Sequence, residues 1–207
     1  MFISVEGLDG VGKTTFAKLL SEKLSKIGCD NIITSEPGGD GSSKMQHCLD
    51  IKKLFISNIS ILDNVSRLLL INAARRENIE KIIKPSLEKE KVVICDRFID
   101  STIAYQHFYE GLDLDKILDA HKLFCDNLEP DITILLDIST DKAIDMMKGR
   151  ADNNQLDYLN KSQRELIRSG FIFCKNSIFK NRYYVTVADH SDCDMAIEKI
   201  LSYIGNA

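Results

Sequence analysis

Short apolar runs rich in β-branched residues recur along the chain: FISVE at 2–6, NIITS at 31–35, KVVICD at 91–96, DITILLD at 131–137 and RYYVTV at 182–187. Between them the apolar positions repeat every three to four residues, which predicts helices over Lys13–Ile27, Leu62–Lys84, Asp115–Leu128, Thr140–Lys148, Ser162–Asn176 and Asp192–Ile204. Strands alternating with helices predict βαβ units, a mostly parallel sheet of about five strands and helices on both of its faces. In such folds ligands collect beyond the carboxyl ends of the strands. Chemistry is therefore expected just after each run.

That is where the most specific pattern falls. Gly7-Leu8-Asp9-Gly10-Val11-Gly12-Lys13-Thr14 fits G-x-x-x-x-G-K-S/T, follows the first strand and opens the first helix. Glycines let successive backbone N–H groups turn onto a phosphate, and the helix amino terminus adds its dipole. Lys13 is placed to reach the outer phosphates, Thr15 to extend the cradle, and the Thr14 hydroxyl to join a Mg²⁺ shell. The loop thus predicts a nucleoside triphosphate, ATP with Mg²⁺, and leaves open where its terminal phosphate goes. The base-reading N-K-x-D of a GTP switch is missing: the nearest string, NKSQ at 160–163, lacks the aspartate.

Further candidates follow the other strands. VVICDRF puts Asp96 and Arg97 at a strand's carboxyl end, a metal-organising carboxylate beside a fork-shaped phosphate ligand. LLLINAARREN presents Arg75 and Arg76, which point about 100° apart on a helix, so one at most enters a pocket. In DSTIAYQ, Ser101 is followed by Thr102, Tyr105 and Gln106, three and four residues apart on one face of a helical turn and suited to bonding the edge of a base.

Composition narrows the partners. The 207 residues suit one domain (1–207), 44% are hydrophobic and 28% charged, and the net charge is −4, which argues against a nucleic-acid backbone as main partner. No apolar run has bilayer length, and no leader precedes the first strand, so a cytoplasmic protein is expected. The six cysteines contain no C-x-x-C pair and read as free thiols of a reducing compartment.

Together EGLDGVGKTT, SEPGGD, LLINAARRENIEKIIKPSL, CDRFIDSTIAYQ and EPDITILLD resemble the thymidylate kinase family, in its order and approximate spacing over nearly the whole chain. The resemblance implies phosphoryl transfer from ATP to dTMP, a homodimer and a helical lid over residues 146–160. It implies that Asp9 receives the deoxyribose 3′-hydroxyl, Arg97 clamps the dTMP phosphate and Arg75 reads a thymine carbonyl. Thr102 and Gln106 match positions around the base, Tyr105 the ring crowding the 2′ position, and Glu36 and Pro37 the acceptor-pocket lining. The chain departs from the pattern at Ile71, where the family usually has a phenylalanine stacked on thymine, and at Ser35, where bacterial members often have arginine. The family carries a catalytic arginine either in the phosphate loop, at the position of Gly10, or in the lid, where Asn154-Gln155 stands in this chain; Arg150 is the nearest substitute, with Arg164 and Arg168 behind it. The alternatives are a kinase for another nucleoside or nucleotide, or a P-loop ATPase module coupled to a protein partner.

Overall fold

A computed structural model of the chain describes residues 1–57, 61–148 and 158–205. Its centre is a five-stranded sheet of order β2-β3-β1-β4-β5, built from β1 (Phe2–Gly7), β2 (Asn31–Ser35), β3 (Val92–Asp96), β4 (Ile132–Leu136) and β5 (Tyr183–Val187). Every neighbouring pair is parallel. All residues of β1 and β4 are buried, as strands covered by helices on both faces must be, whereas edge strand β5 alternates.

Register brings the carboxyl ends together. Val5 aligns with Asp96 and with Ile134, and Ser35 with Asp96. The loops after β1, β2 and β3 therefore open onto one crevice, where Arg97 N–H bonds Val5 O and Glu36 N–H bonds Asp96 O, each at 3.0 Å.

The helices are α1 (Lys13–Lys26), α2 (Gln46–Ser57), α3 (Asn64–Asn78), α4 (Lys84–Leu87), α5 (Ile99–Thr102), α6 (Leu114–Phe124), α7 (Thr140–Met147), α8 (Lys161–Phe173) and α9 (Cys193–Gly205). Several of them differ from what the sequence pattern predicts. α2 was not predicted at all, although Cys48, Ile51 and Phe55 in QHCLDIKKLFIS have helical spacing. The helix predicted to stop at Lys84 instead runs on into α4; Pro85 brings no backbone N–H, and a π-helical stretch, Ile79–Ile83, lies directly before it. α6 ends before Leu128 because Asp126 and Asn127 turn to φ 55° and 50°, a left-handed conformation that stops a helix. The turn read at Thr102–Gln106 is part of a longer helical segment, α5 followed by a π-helical stretch over Ile103–Tyr109.

Two apolar clusters lie on the sheet. One joins Ile3, Val5, Phe16, Leu20, Ile134, Ile167 and Phe171; the other joins Phe2, Leu68, Ile79, Phe98, Ile103 and Ile117. They fix the carboxyl-end loops to a dense frame. Among the described residues no helix is long and apolar enough to cross a membrane.

Candidate active site

The phosphate loop ends in a helix start built for an anion. Gly12 takes φ 88° as the N-cap of α1, no side chain caps that end and no acidic residue occupies its first turn. Its first N–H groups are left to a ligand. Lys13 folds back over the loop, donating from Nζ to Leu8 O at 2.6 Å. Burial and the nearby Arg97 charge push the ammonium down to about 8, against the opposing pull of Asp9, Asp96 and Glu6. Gly10, at φ 88°, permits no side chain without rearrangement: a Cβ would stand 2.4 Å from Met147 Cγ and 3.1 Å from Ala143 O.

Next to the loop, Thr14 Oγ1 donates to Asp96 Oδ2 at 2.6 Å. A hydroxyl and a carboxylate at the mouth of a phosphate cradle are the hard oxygen donors that Mg²⁺ takes alongside phosphate oxygens and water. Among the described residues no cluster of three His, Cys, Asp or Glu side chains could cage a metal by itself. The donor set thus fits a metal that arrives with the nucleotide.

Arg97 has φ 76°, and its guanidinium is held by Gly7 O (3.1 Å), Ser101 Oγ (3.0 Å) and Asp9 Oδ1 (2.5 Å). Below it lies Glu6, a residue the sequence reading passed over. It is fully buried, accepts from Phe98 N–H at 2.7 Å and from Ser101 Oγ at 2.6 Å, and so braces the turn that carries Arg97. An acid inside a wholly buried strand was the available signal. Burial and the Asp100 carboxylate push Glu6 up to about 8, against Ser101 and Arg97, which lower it.

Asp9 also accepts the Tyr105 hydroxyl at 2.6 Å. Burial alone would raise this carboxyl, but the charges of Arg97 and Lys13 and the Tyr105 bond outweigh it and hold Asp9 well below the carboxylate range. Burial and the Asp9 charge push the Tyr105 phenol well above its ordinary value, so it remains a donor.

Of the paired arginines, Arg75 is the one inside, 1% exposed, while Arg76 is 40% exposed at its side chain and pairs with Asp126 and Glu80. Arg75 Nε donates to Glu36 Oε2 and one terminal nitrogen to Thr102 Oγ1, both at 2.7 Å, and its guanidinium lies 4.9 Å from the centre of the Phe98 ring. The other terminal nitrogen, NH1, is buried without a partner.

These side chains border two adjoining cavities. The smaller, about 120 Å³, is lined by Asp9, Glu36, Pro37, Ile71, Arg75 and Arg97, and by Ser101, Thr102, Tyr105 and Gln106 from the segment after β3. The larger, about 550 Å³, is lined by Gly10, Gly12, Lys13, Thr14, Thr15 and Asp96. Asp9, Glu36, Lys52 and Arg97 border both. Of the remaining loop residues, Leu8 and Val11 are buried in the core and Gly7 supplies the carbonyl to Arg97. The sequence reading did not anticipate Lys52, Phe55 and Ile56, which α2 contributes to the small cavity, or Phe98.

Arg150 and Gln155 lie outside the described residues. Arg164, its first stand-in, is buried, with Nε on Leu159 O at 3.0 Å and NH1 on Met147 Sδ at 3.3 Å; Arg168 forks onto Asp137 at 2.6 and 3.1 Å.

Comparison with known proteins adds an independent line. Residues 5–196 match the family model described as thymidylate kinase. A thymidylate kinase of Halothermothrix orenii is 40% identical over 81% of this chain and 77% of its own length, and one of Ehrlichia ruminantium is 38% identical over 97% and 93%. The crystal structure of thymidylate kinase from Ehrlichia chaffeensis superposes with a TM-score of 0.75 at 34% identity, covering 98% of both chains. With a family match across most of its length and the same parallel five-stranded frame around a phosphate loop, the chain belongs to the thymidylate kinase family.

Proposed function

We propose that this site transfers the γ-phosphate of ATP to dTMP, giving ADP and dTDP. The carrying observation is the shared border of the two cavities: Asp9, Arg97, Glu36 and Lys52 line both the phosphate-loop cleft and the small apolar cavity. Two nucleotides seated there meet phosphate to phosphate. A hydrolytic module would have no use for the second cavity.

Phosphoryl transfer asks for alignment and charge neutralisation more than for covalent chemistry. The N–H groups of the loop and the first turn of α1 hold the donor phosphates, and Lys13 moves from Leu8 O to the outer ones. Thr14 and Asp96 would hold Mg²⁺, which would supply charge neutralisation for the donor phosphates. Arg97 takes the acceptor phosphate, with Ser101 and the Gly7 carbonyl fixing its plane. Asp9 takes the sugar's 3′-hydroxyl, and the Tyr105 ring stands against its 2′ position. The base lies against Ile71, with Arg75 NH1 offered to a carbonyl. Arg150 supplies the positive charge on the transferring group that Gly10 and Gln155 cannot.

The enzyme acts as a cytoplasmic homodimer in this reading. Leu69 on α3 and Leu123 and Phe124 on α6 border one shallow hollow and are 52%, 73% and 45% exposed, an apolar surface suited to a second copy.

The deciding experiment is a coupled ADP-release assay with ATP and Mg²⁺, run with and without dTMP. Turnover that depends on dTMP is expected; equal ADP release without any nucleotide acceptor would overturn the proposal.

A further inference from the structure

Gln106 is almost wholly buried, yet it borders the small cavity. Its amide nitrogen donates to Glu110 Oε1 at 3.0 Å. Glu110 in turn forms an ion pair of 2.7 Å with Arg67, both side chains no more than 5% exposed, and the Arg67 guanidinium lies 4.6 Å from the centre of the Phe55 ring. Burial pushes the Glu110 carboxyl upward, and the Arg67 charge beside it counters that push. The oxygen that meets Gln106, Oε1, is the one that accepts from the Arg67 guanidinium, so it serves as an acceptor and the Gln106 group facing it is the NH₂.

The consequence is chemical. With the NH₂ turned toward Glu110, the Gln106 carbonyl oxygen lies on the opposite side of the amide, the acceptor offered to a ligand. Arg75 NH1, buried without a partner in the wall of the same cavity, is a donor. An acceptor beside a donor complements a pyrimidine edge carrying a ring N–H next to a carbonyl, as thymine and uracil do. Cytosine presents the reverse, a bare ring nitrogen beside an amino group, and would set acceptor against acceptor and donor against donor.

Resting on the dTMP kinase reading above, we propose that the buried Arg67–Glu110 pair is a positioning device that fixes the orientation of the Gln106 amide and thereby makes the acceptor site select lactam pyrimidines over cytosine. A buried ion pair often adds little stability over an apolar pair of similar volume, which leaves room for such a role in specificity. The link runs from α3 through Glu110 to the residue at the base edge, and neither charged group borders the cavity itself.

The test compares kcat/KM for dTMP and dCMP in the wild type, in Glu110→Gln and in the double variant Arg67→Met/Glu110→Gln, which removes both charges and strands neither. An amide at position 110 can donate as well as accept, so Gln106 is free to flip. The dTMP/dCMP ratio is expected to fall about tenfold in the folded double variant, the scale of one hydrogen bond gained and one lost, with the KM for ATP unchanged. A loss of packing alone would lower both nucleotides together. A ratio within twofold of wild type would overturn the proposal. N3-methyl-dTMP tested on the wild-type enzyme needs no variant to fold: efficient use of it would overturn the assignment of the Gln106 oxygen to the ring N–H, and poor use supports it. A wild-type enzyme inactive on dTMP would overturn the underlying reading, whereas good dTMP activity with an unchanged ratio would sink only the role of the ion pair.

Discussion

Tyr105 donates its phenolic hydrogen to Asp9 across 2.6 Å, while Arg97 grips the other oxygen of the same carboxylate at 2.5 Å. The aromatic ring is thereby fixed beside the phosphate loop, where the sugar of the proposed acceptor would lie. A ring in that position excludes a 2′-hydroxyl by bulk, and Tyr105→Ala is expected to raise the use of ribothymidine monophosphate relative to dTMP. Tyr105→Phe keeps the bulk and loses only the bond to Asp9, so its sugar preference should stay near wild type. Equal sugar preference in Tyr105→Ala and wild type would remove the gate.

Arg97 is the only described arginine bordering both cavities. If Arg97 holds the acceptor phosphate, charge-assisted bonds to that dianion worth roughly 1.5–3 kcal/mol are lost in Arg97→Ala, which should weaken dTMP use by about 10- to 100-fold while the KM for ATP changes little. Steady-state kinetics with each substrate varied separately decides this. Unchanged dTMP kinetics in a folded variant would take Arg97 out of the acceptor site.

Position 10 holds no charge, and the described structure closes it against Met147. If Arg150 provides the missing cation, Arg150→Ala lowers kcat by about a hundredfold or more and leaves dTMP affinity near wild type, as for other arginines that engage a transferring phosphoryl group. A kcat within a fewfold of wild type would redirect the assignment to Arg164 or Arg168.

Glu6 gives the fold a pH dependence. Its ordinary value of 4.5 is pushed up to about 8 by burial and by Asp100. Between these values the folded chain keeps a proton that the unfolded chain has released, so this contribution to stability is complete below about 4.5 and is lost as pH rises through about 8. Melting temperatures of wild type and Glu6→Gln at pH 5.5 and 8.5 isolate it: the wild type should lose more stability over that interval than the variant. Parallel declines would show that Glu6 titrates normally.

The exposed trio Leu69, Leu123 and Phe124 predicts the assembly. Sedimentation velocity should show a dimer for the wild type and a shift toward monomer for Leu123→Asp, because a charge brought into an apolar interface without a partner is costly. A wild type that sediments as a monomer would refute the dimer.

The local chemistry of this chain is written in short stretches. The inner strands β1, β3 and β4 declare themselves as apolar runs because both their faces are covered, and the phosphate loop declares itself because its glycines, lysine and threonine act through backbone geometry set within eight residues. The pair Arg75-Arg76 shows how far that goes: helical geometry alone requires that the two diverge, but only the arrival of Glu36 from the loop after β2 and Thr102 from α5 decides that Arg75 is the buried one. Glu6 and Phe98 join the site through strand register, and Lys52, Phe55 and Ile56 through the packing of a helix whose sequence shows only ordinary amphipathic spacing. Arg67 and Glu110 meet across a wide gap in sequence, and nothing in either segment marks the other as its partner. Such choices belong to tertiary structure because desolvating a charge is unfavourable until its partner is in place, and that partner is delivered by the folding of the whole sheet.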